Sequence, residues 1–140
     1  MLILNGNLPK SVDLMQRAMS ASVLRAEVLD NNIANATTPN YKRRDVNFQS
    51  QLLRAINSEK TDQIPFKTSR TRHIPVFRPM DYREVKPKVF TEFNTYQNNN
   101  GNSVDIDKEM MESAKNSMYY SALAQRTAKE FNKIKMLLRQ

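Results

Sequence analysis

Apolar residues recur with a heptad spacing towards both ends of this chain. In the N-terminal part, alternating intervals of three and four residues place one apolar row on a single face of a helix. This row consists of Val12, Met15, Met19, Ser22, Ala26, Leu29, Ile33 and Ala36. Ser11 stands where an N-cap is expected and Pro9 lies just before it, so the spacing predicts a helix from about residue 12.

The last third of the chain repeats this spacing. Its row consists of Ile106, Met110, Ser113, Ser117, Tyr120, Ala124, Thr127, Phe131, Ile134 and Leu138. Asp105 is the expected N-cap, and the acidic residues after it and the basic residues near the end complement the helix macrodipole. Such a helix would be about 50 Å long and the first about 36 Å, which is longer than a compact domain of this length accommodates. We therefore expect the two helices to pair.

The middle of the chain has a weaker pattern. Residues 47–58 could form a short helix, but four of the six prolines fall between Pro65 and Pro87, where continuous helix is excluded. Residues 89–96 have the β-branched and aromatic content of a strand, and residues 58–70 are expected to be partly disordered. The predicted fold is therefore mainly α, with long N- and C-terminal helices in an antiparallel coiled-coil-like domain. Its regions are 1–44, 45–102 and 103–140, of which the first and third form one structural domain.

The charge of the chain is positive but evenly distributed. Its 22 Lys and Arg residues exceed its 14 Asp and Glu residues, and each of the three regions has a small basic excess. A nucleic-acid-binding protein usually concentrates its charge on one face, often with aromatic residues for stacking. Hydrophobic residues make up 39% of the chain, which is little for a compact core and favours an elongated fold or one that depends on assembly.

The residues that carry most enzyme chemistry are scarce. The chain has no cysteine, one histidine (His73) and two glycines, so a thiolate nucleophile, a zinc site and a glycine-rich phosphate loop are not expected. The acidic residues at 105–112 lack the glycine and the spacing of a calcium-binding loop, and helix capping explains them more simply. We predict no catalytic, cofactor or metal site. No cleavable signal peptide or membrane-spanning segment is recognisable either.

The most specific stretch of the sequence follows the first heptad row. In "NNIANATTPNYKRRD", residues 31–45, Asn35 stands where a helix could end with a left-handed residue, and Pro39 excludes α-helix at Thr38. The stretch resembles the N-terminal signature of the flagellar axial proteins, which form the rod and hook. The matching residues are Asn32, Ile33, Ala34, Asn35, Thr38, Pro39 and Tyr41. Asn40 replaces the usual glycine and can itself adopt a positive φ.

The resemblance extends to "GNSVDIDKEM" and to the C-terminal heptads, and the short length and the "RHIP" stretch favour a proximal rod subunit. It implies a structural protein of the periplasmic rod in the flagellar basal body, exported by the type III apparatus without a cleaved signal. The implied partners are other rod subunits, membrane-ring and rod-adaptor proteins, and the export gate. Cofactors, nucleic acid and a membrane span are not implied.

In such an assembly, the two heptad rows would supply contacts within and between subunits. The expected interface residues are Val12, Met15, Met19, Ala26, Leu29, Ile33, Tyr120, Ala124, Phe131, Ile134 and Leu138. The alternatives are another short proximal-rod subunit, or a cytosolic coiled-coil adaptor or export chaperone. The adaptor would share the heptads but would have no need of the signature.

Overall fold

The computed structural model describes residues 7–60, 80–93 and 102–139. Within these residues the chain forms three α-helices, α1 (Asn7–Ala34), α2 (Gln49–Lys60) and α3 (Ile106–Leu137). Two short strands, β1 (Arg44–Asn47) and β2 (Lys88–Thr91), pair in one sheet, and a single 3₁₀ turn covers Tyr82–Glu84. The fold is mainly α, with long helices near both ends of the chain, as the heptad rows predict.

Helix α1 begins earlier than the sequence predicts. It starts at Asn7, so Pro9 lies inside the first turn and Ser11 is a helical residue, not the N-cap. The prediction was wrong because proline is tolerated in the first turn, where the backbone N–H groups have no partner within the helix. The heptad row of α1 is therefore preceded by one further helical turn.

Helix α3 has the predicted bounds and the predicted cap. It spans 32 residues, Ile106–Leu137, and Asp105 precedes it with an extended backbone. The Asp105 carboxylate accepts hydrogen bonds from the backbone N–H groups of Asp107 and Lys108 at 3.1 and 3.3 Å. These bonds satisfy donors that have no partner within the helix, so the start of α3 is fixed by its own sequence.

Helices α1 and α3 pack side by side and run in opposite directions. The Asn116 side chain donates to the Ser22 carbonyl at 2.9 Å, and the Thr127 hydroxyl lies 3.6 Å from the Met15 sulfur. Higher-numbered residues of α3 thus contact lower-numbered residues of α1, as expected for antiparallel helices. No helix among the described residues is both long and apolar enough to cross a bilayer.

The helices face each other through only part of the predicted rows. In the first row, Met15, Ser22 and Leu29 of α1 and Ala36 in the turn after it are buried, whereas the alternate members Val12, Met19, Ala26 and Ile33 are half-buried. On α3, the half-buried members are Ser113, Ala124, Thr127 and Ile134. The exposed members are Ile106, Met110, Ser117, Tyr120, Phe131 and Leu138. The packed face is rotated from the predicted rows, since on α1 it also includes buried Ala18, Ala21 and Val28, and on α3 it includes Asn116, which contacts Ser22.

Two compact units divide the chain. One contains residues 1–46 and 89–140, and the other contains residues 47–88. In the second unit, Phe48, Ala55, Tyr82 and Val85 are buried. The Ser58 hydroxyl accepts a hydrogen bond from the Met80 N–H at 3.0 Å, which joins the end of α2 to the segment before the 3₁₀ turn.

The strands flank the signature stretch in the first unit. The N–H of Glu92, just after β2, donates to the carbonyl of Arg43, just before β1, at 2.9 Å. β2 ends at Thr91, so Glu92 and Phe93 of the predicted strand lie outside it. Residues 94–96 of that prediction lie outside the described residues. His73, the glycine-containing loop before Asn102 and most of the stretch predicted to be disordered also lie outside them.

Leu29 is the point of α1 at which a core substitution should be most costly. Its side chain is fully buried, so Leu29→Ala removes apolar contacts and leaves a cavity. We expect the free energy of unfolding to fall by about 2–5 kcal/mol, measured by chemical denaturation followed by circular dichroism. Leu53→Ala, at an exposed position of α2, is the matched control and should cost less than about 1 kcal/mol.

Candidate functional site

The signature stretch forms a corner at the end of α1, and the Asn32 side chain lies at its centre. Asn32 is fully buried. Its amide nitrogen donates to the Arg44 carbonyl at 2.7 Å, and its oxygen accepts from the Arg44 N–H at 3.0 Å. The amide therefore pairs with the first residue of β1 as a neighbouring strand would, and it fixes the direction in which the chain leaves the helix.

The turn between α1 and β1 is held by the other polar signature residues. The Tyr41 hydroxyl donates to the Asn31 side-chain oxygen at 2.9 Å and lies 3.3 Å from that of Asn32. The Asn35 amide donates to the Asn31 carbonyl at 2.8 Å, and the Thr38 hydroxyl donates to the Asn35 side-chain oxygen at 3.3 Å. Tyr41 thus connects the exit of the turn to the last turn of the helix.

The remaining signature residues are less buried than Asn32. Ile33 is half-buried, and Ala34 and Pro39 are exposed. Asn40 has a φ of 58° and is the one non-glycine residue with positive φ in the part of the chain that the structure describes. The expectation that Asn35 would adopt the left-handed conformation was wrong, because the helix end is satisfied in another way.

The Asn102 side chain binds the turn that follows α1. This side chain is fully buried, and its amide nitrogen lies 3.1, 2.7 and 3.0 Å from the carbonyls of Asn35, Ala36 and Thr38. Its oxygen accepts from the Val104 N–H at 2.7 Å. The turn that follows α1 is thus bonded from the segment that precedes α3. The last carbonyls of α1 itself, those of Asn31, Asn32 and Ile33, accept from the backbone N–H groups of Asn35 and Ala36.

Arg43 joins the corner to the start of α3. Its Nε donates to Glu109 Oε1 at 2.6 Å, and its backbone N–H donates to the Ser103 hydroxyl at 2.8 Å. A terminal guanidinium nitrogen donates to Glu92 at 2.8 Å and lies 3.3 Å from Asp45. One buried guanidinium therefore contacts carboxylates from three segments of the chain.

Glu109 is fully buried and binds both parts of the corner. One carboxylate oxygen accepts from Arg43, and the other accepts from the Asn32 amide at 2.8 Å. Burial by itself would lower the pKa of Arg43, but the hydrogen bond and charge of Glu109, with the charges of Asp45 and Glu92, raise that pKa above its ordinary value. Arg43 is therefore held as a cation and pairs with a carboxylate that has no contact with water.

Comparison with known proteins shows the family to which this chain belongs. The chain is 37% identical to the flagellar basal body rod protein FlgB of Borreliella burgdorferi, over 93% of this chain and 96% of the relative. It is 34% identical to that of Borrelia hermsii, over 92% and 96%, and 34% identical to that of Bacillus subtilis, over 89% of each. The chain belongs to the FlgB family. No model in a scan of protein families matches it.

Around the corner of this FlgB-family chain, a second arginine extends the ion pairs. Arg25 lies 3.3 Å from Asp45 and 3.5 Å from Glu112, and Lys115 lies 2.8 Å from Glu112. The hydrogen bond from Lys115 holds the pKa of Glu112 below its ordinary value of 4.5, and the charges of Lys115, Arg25 and Arg43 act in the same direction. α1, β1 and α3 are thus linked by alternating charges.

The acidic residues at the start of α3 have separate roles. Asp105 caps the helix, Glu109 pairs with Arg43, and Glu112 pairs with Lys115. Among the described residues, no group of three or more acidic, histidine or cysteine side chains is arranged to hold a metal ion. Glu109 differs from the sequence interpretation, in which it only complemented the helix dipole.

The sequence predicted the signature side of this corner but not the residues that bind it. Arg43, Asn102, Ser103 and Glu109 were not among the predicted site residues, although they supply most of the partners of the signature. A carboxylate on the packed face of an amphipathic helix was a usable signal for Glu109, because a buried charge requires a partner. Asn102 gave no such signal, since its role depends on contacts more than 60 residues distant along the chain.

Asn32→Asp should disrupt the corner while changing only one side-chain group. Aspartate cannot donate to the Arg44 carbonyl, and it would place a second carboxylate beside buried Glu109. We expect the free energy of unfolding to fall by about 3 kcal/mol or more. Asn31→Asp is the matched control, because its side chain is exposed and keeps the oxygen that accepts from Tyr41. Chemical denaturation of both variants at pH 7 measures the difference, and equal losses would contradict the assigned role of Asn32.

Glu112 should make the stability of the protein depend on pH in the acid range. Its pKa in the folded state is lowered, so its stabilising contribution is present above pH 4.5 and is lost as the pH falls through the lowered pKa. In Glu112→Gln, the free energy of unfolding should decline less steeply below pH 4.5. Glu27→Gln, at an exposed carboxylate, is the control and should keep the wild-type slope. An unchanged slope in Glu112→Gln would refute the effect.

Proposed function

We propose that this chain is a structural subunit of the proximal flagellar rod, which assembles helically through α1 and α3. In this role it connects the membrane ring and export gate to the distal rod and transmits torque. Membership of the FlgB family supports the location, since its relatives are named as basal-body rod proteins. The observation that carries the mode of assembly is an apolar surface along the helix pair.

This surface, the apolar flank, lies beside the packed face of each helix. Successive residues of a helix are rotated by about 100° around its axis. Viewed from the N-terminus of each helix, the members on α1 lie roughly 90° clockwise from the packed face of α1. The members on α3 lie roughly 60° clockwise from the packed face of α3. Because the two helices are antiparallel, the same rotational sense places both rows on one side of the pair. The members are Val12, Met19, Ala26, Ile33, Ile106, Met110, Tyr120, Ala124, Phe131 and Leu138.

The apolar flank remains accessible in the single chain. The exposed fraction is 41% for Tyr120, 54% for Phe131, 81% for Leu138 and 55% for Met110. Exposed apolar surface of this extent on a helix pair is characteristic of a protein–protein contact. The interface residues expected from the sequence divide accordingly. Met15, Leu29 and Ile134 belong to the packed face, and the other eight belong to the apolar flank.

The opposite side of the helix pair has a different character. Rotation in the other sense from the packed face brings basic side chains to the surface: Lys108, Lys115, Arg126 and Lys133 on α3, with Lys10 and Arg17 on α1. Three of these cations pair with Asp13, Glu112 and Glu130, and the exposed side chains of Tyr119 and Leu137 also lie on this side. This side is still the more polar of the two, whereas the apolar flank gains free energy when it is covered. This asymmetry supports assignment of the apolar flank to contacts between subunits.

The proposed role has further parts. The chain reaches the periplasm through the type III export gate without a cleaved signal, and its partners are other rod subunits with the membrane-ring and rod-adaptor proteins. It performs no catalysis. Quantification of the chain in isolated hook–basal bodies by mass spectrometry tests this role. Several copies in each particle would support it, and absence from the particles with abundant chain in the cytosol would favour an adaptor or chaperone.

Phe131→Asp should prevent assembly and leave the chain soluble. The substitution places a charge in the C-terminal half of the α3 part of the apolar flank, where a contacting subunit would have to desolvate it. We expect motility and rod incorporation to fall at least tenfold, measured by swimming assays and by mass spectrometry of basal bodies. Phe131→Leu, which keeps an apolar side chain, and Lys129→Asp, which adds a carboxylate away from the apolar flank, are the controls. Normal rods in Phe131→Asp would refute this interface.

A further inference from the structure

The end of α3 is apolar on every side. Met136, Leu137 and Leu138 follow one another at about 100° per residue, so their side chains point in three directions around the helix axis. Leu138, the C-cap, still has a helical backbone. The exposed fractions of the three side chains are 64%, 49% and 81%. One neighbouring helix would cover only one of these directions, whereas an apolar medium that the helix end enters would cover all three.

Basic side chains surround this apolar end. Residues 125–139 include one acidic residue, Glu130, which pairs with Lys133 at 3.1 Å. The basic residues of the same stretch are all exposed, and they are Arg126, Lys129, Lys133, Lys135 and Arg139. The helix macrodipole favours cations at this end, but it does not account for the exposed apolar residues among them. We call these five basic residues and Met136, Leu137 and Leu138 the basic tip.

We propose that the basic tip docks end-on on the surface of an anionic phospholipid bilayer. Its apolar side chains enter the boundary between headgroups and acyl chains, where interfacial apolar groups are buried to a depth of about 5–10 Å. One helical turn, about 5.4 Å long, reaches this depth. Its basic side chains contact the lipid phosphates, since lysine and arginine keep their charged ends at the headgroup level. This docking is independent of the proposed assembly through the apolar flank.

The acidic end of the helix pair is a poor partner for the basic tip. Glu109 is buried against Arg43, and Glu112 pairs with Lys115. Asp105 caps α3. Because these carboxylates already have partners, a second copy of the chain offers little charge to the tip. The acidic surface of another protein would supply charge but would leave part of the apolar end in water. An anionic bilayer supplies negative headgroups and a fluid apolar layer that closes around the helix end.

Co-sedimentation of the full chain with lipid vesicles tests the charge of the tip. The probes are vesicles of phosphatidylglycerol and phosphatidylcholine in equal parts, and vesicles of phosphatidylcholine alone. We expect binding at low salt to be about tenfold tighter to the anionic vesicles. Lys135→Gln/Arg139→Gln should weaken this binding about tenfold. Lys86→Gln/Lys88→Gln removes the same charge from two exposed positions elsewhere and is the matched control, which should bind as the wild type does.

A second pair of variants tests the apolar part of the tip. Leu137→Ser/Leu138→Ser changes two exposed side chains, so the helix content measured by circular dichroism should be retained. We expect its binding to the anionic vesicles to fall about tenfold or more, because the apolar area that enters the bilayer is lost. Met110→Ser/Tyr120→Ser removes exposed apolar side chains from the apolar flank and should bind as the wild type does.

A tryptophan in the tip measures its depth and orientation. The chain has no tryptophan, so Leu138→Trp provides a single reporter. On the anionic vesicles, lipids with brominated acyl chains should quench this tryptophan about fivefold more than that of Tyr120→Trp. Position 120 is 18 residues earlier in α3, or about 27 Å from the tip. Equal quenching at the two positions would show that the helix pair lies flat on its apolar flank, and it would overturn end-on docking.

Four further results would overturn the inference. Equal binding to both kinds of vesicle would indicate adsorption without a requirement for anionic lipid. Equal losses in Lys135→Gln/Arg139→Gln and its control would indicate an effect of net charge. Unchanged binding of Leu137→Ser/Leu138→Ser would exclude insertion of the tip. Binding to soluble polyglutamate as tight as to the anionic vesicles would assign the tip to an acidic protein surface. Since all these results concern lipid, detection of the chain in basal bodies would still support the rod function.

Discussion

The corner depends on the contact between the Asn32 amide and the Glu109 carboxylate. Asn32 is fixed to the backbone of β1, and Glu109 is fixed to Arg43, so this one hydrogen bond of 2.8 Å aligns α1, β1 and α3 at the same level. This contact also fixes the register of the two long helices. Further along the pair, Asn116 contacts Ser22 and Thr127 contacts Met15 in the same register. A shift of one turn would separate all three contacts.

Buried polar groups give the helix pair a defined register at some cost in stability. The transfer of Arg43 and Glu109 from water is unfavourable, and an apolar pair of the same volume would often be as stable. An apolar seam of small side chains, however, would permit several registers of similar energy. The three carboxylates around Arg43 favour a single alignment because every other alignment leaves a buried charge without a partner. A subunit whose neighbours must dock in a fixed register requires such a corner.

The sequence predicted the elements of this fold whose causes are local. The start of α3 was predicted correctly because the Asp105 cap lies within three residues of the groups it bonds. The start of α1 was wrong because Pro9 is compatible both with a helix start and with a boundary. The helix end was wrong because the last carbonyls of α1 accept from the N–H groups of Asn35 and Ala36, and the turn after them is held by Asn102, which is distant in the sequence. Local patterns do not encode such partners.

The heptad rows include residues of the packed face and residues of the apolar flank, and the sequence alone could not distinguish the two. Along the first row, Met15, Ser22, Leu29 and Ala36 are buried and the members between them are half-buried. Polar contacts accompany this rotation of α1, since Asn32 bonds Glu109 and the Ser22 carbonyl accepts from Asn116. That rotation leaves an apolar strip on one side of the pair and cations on the other. A chain with 39% hydrophobic residues thus divides its apolar surface between its own core and the apolar flank, which we propose as the contact between subunits. Its long helices cover each other only in part, so the apolar flank could be buried only by another molecule.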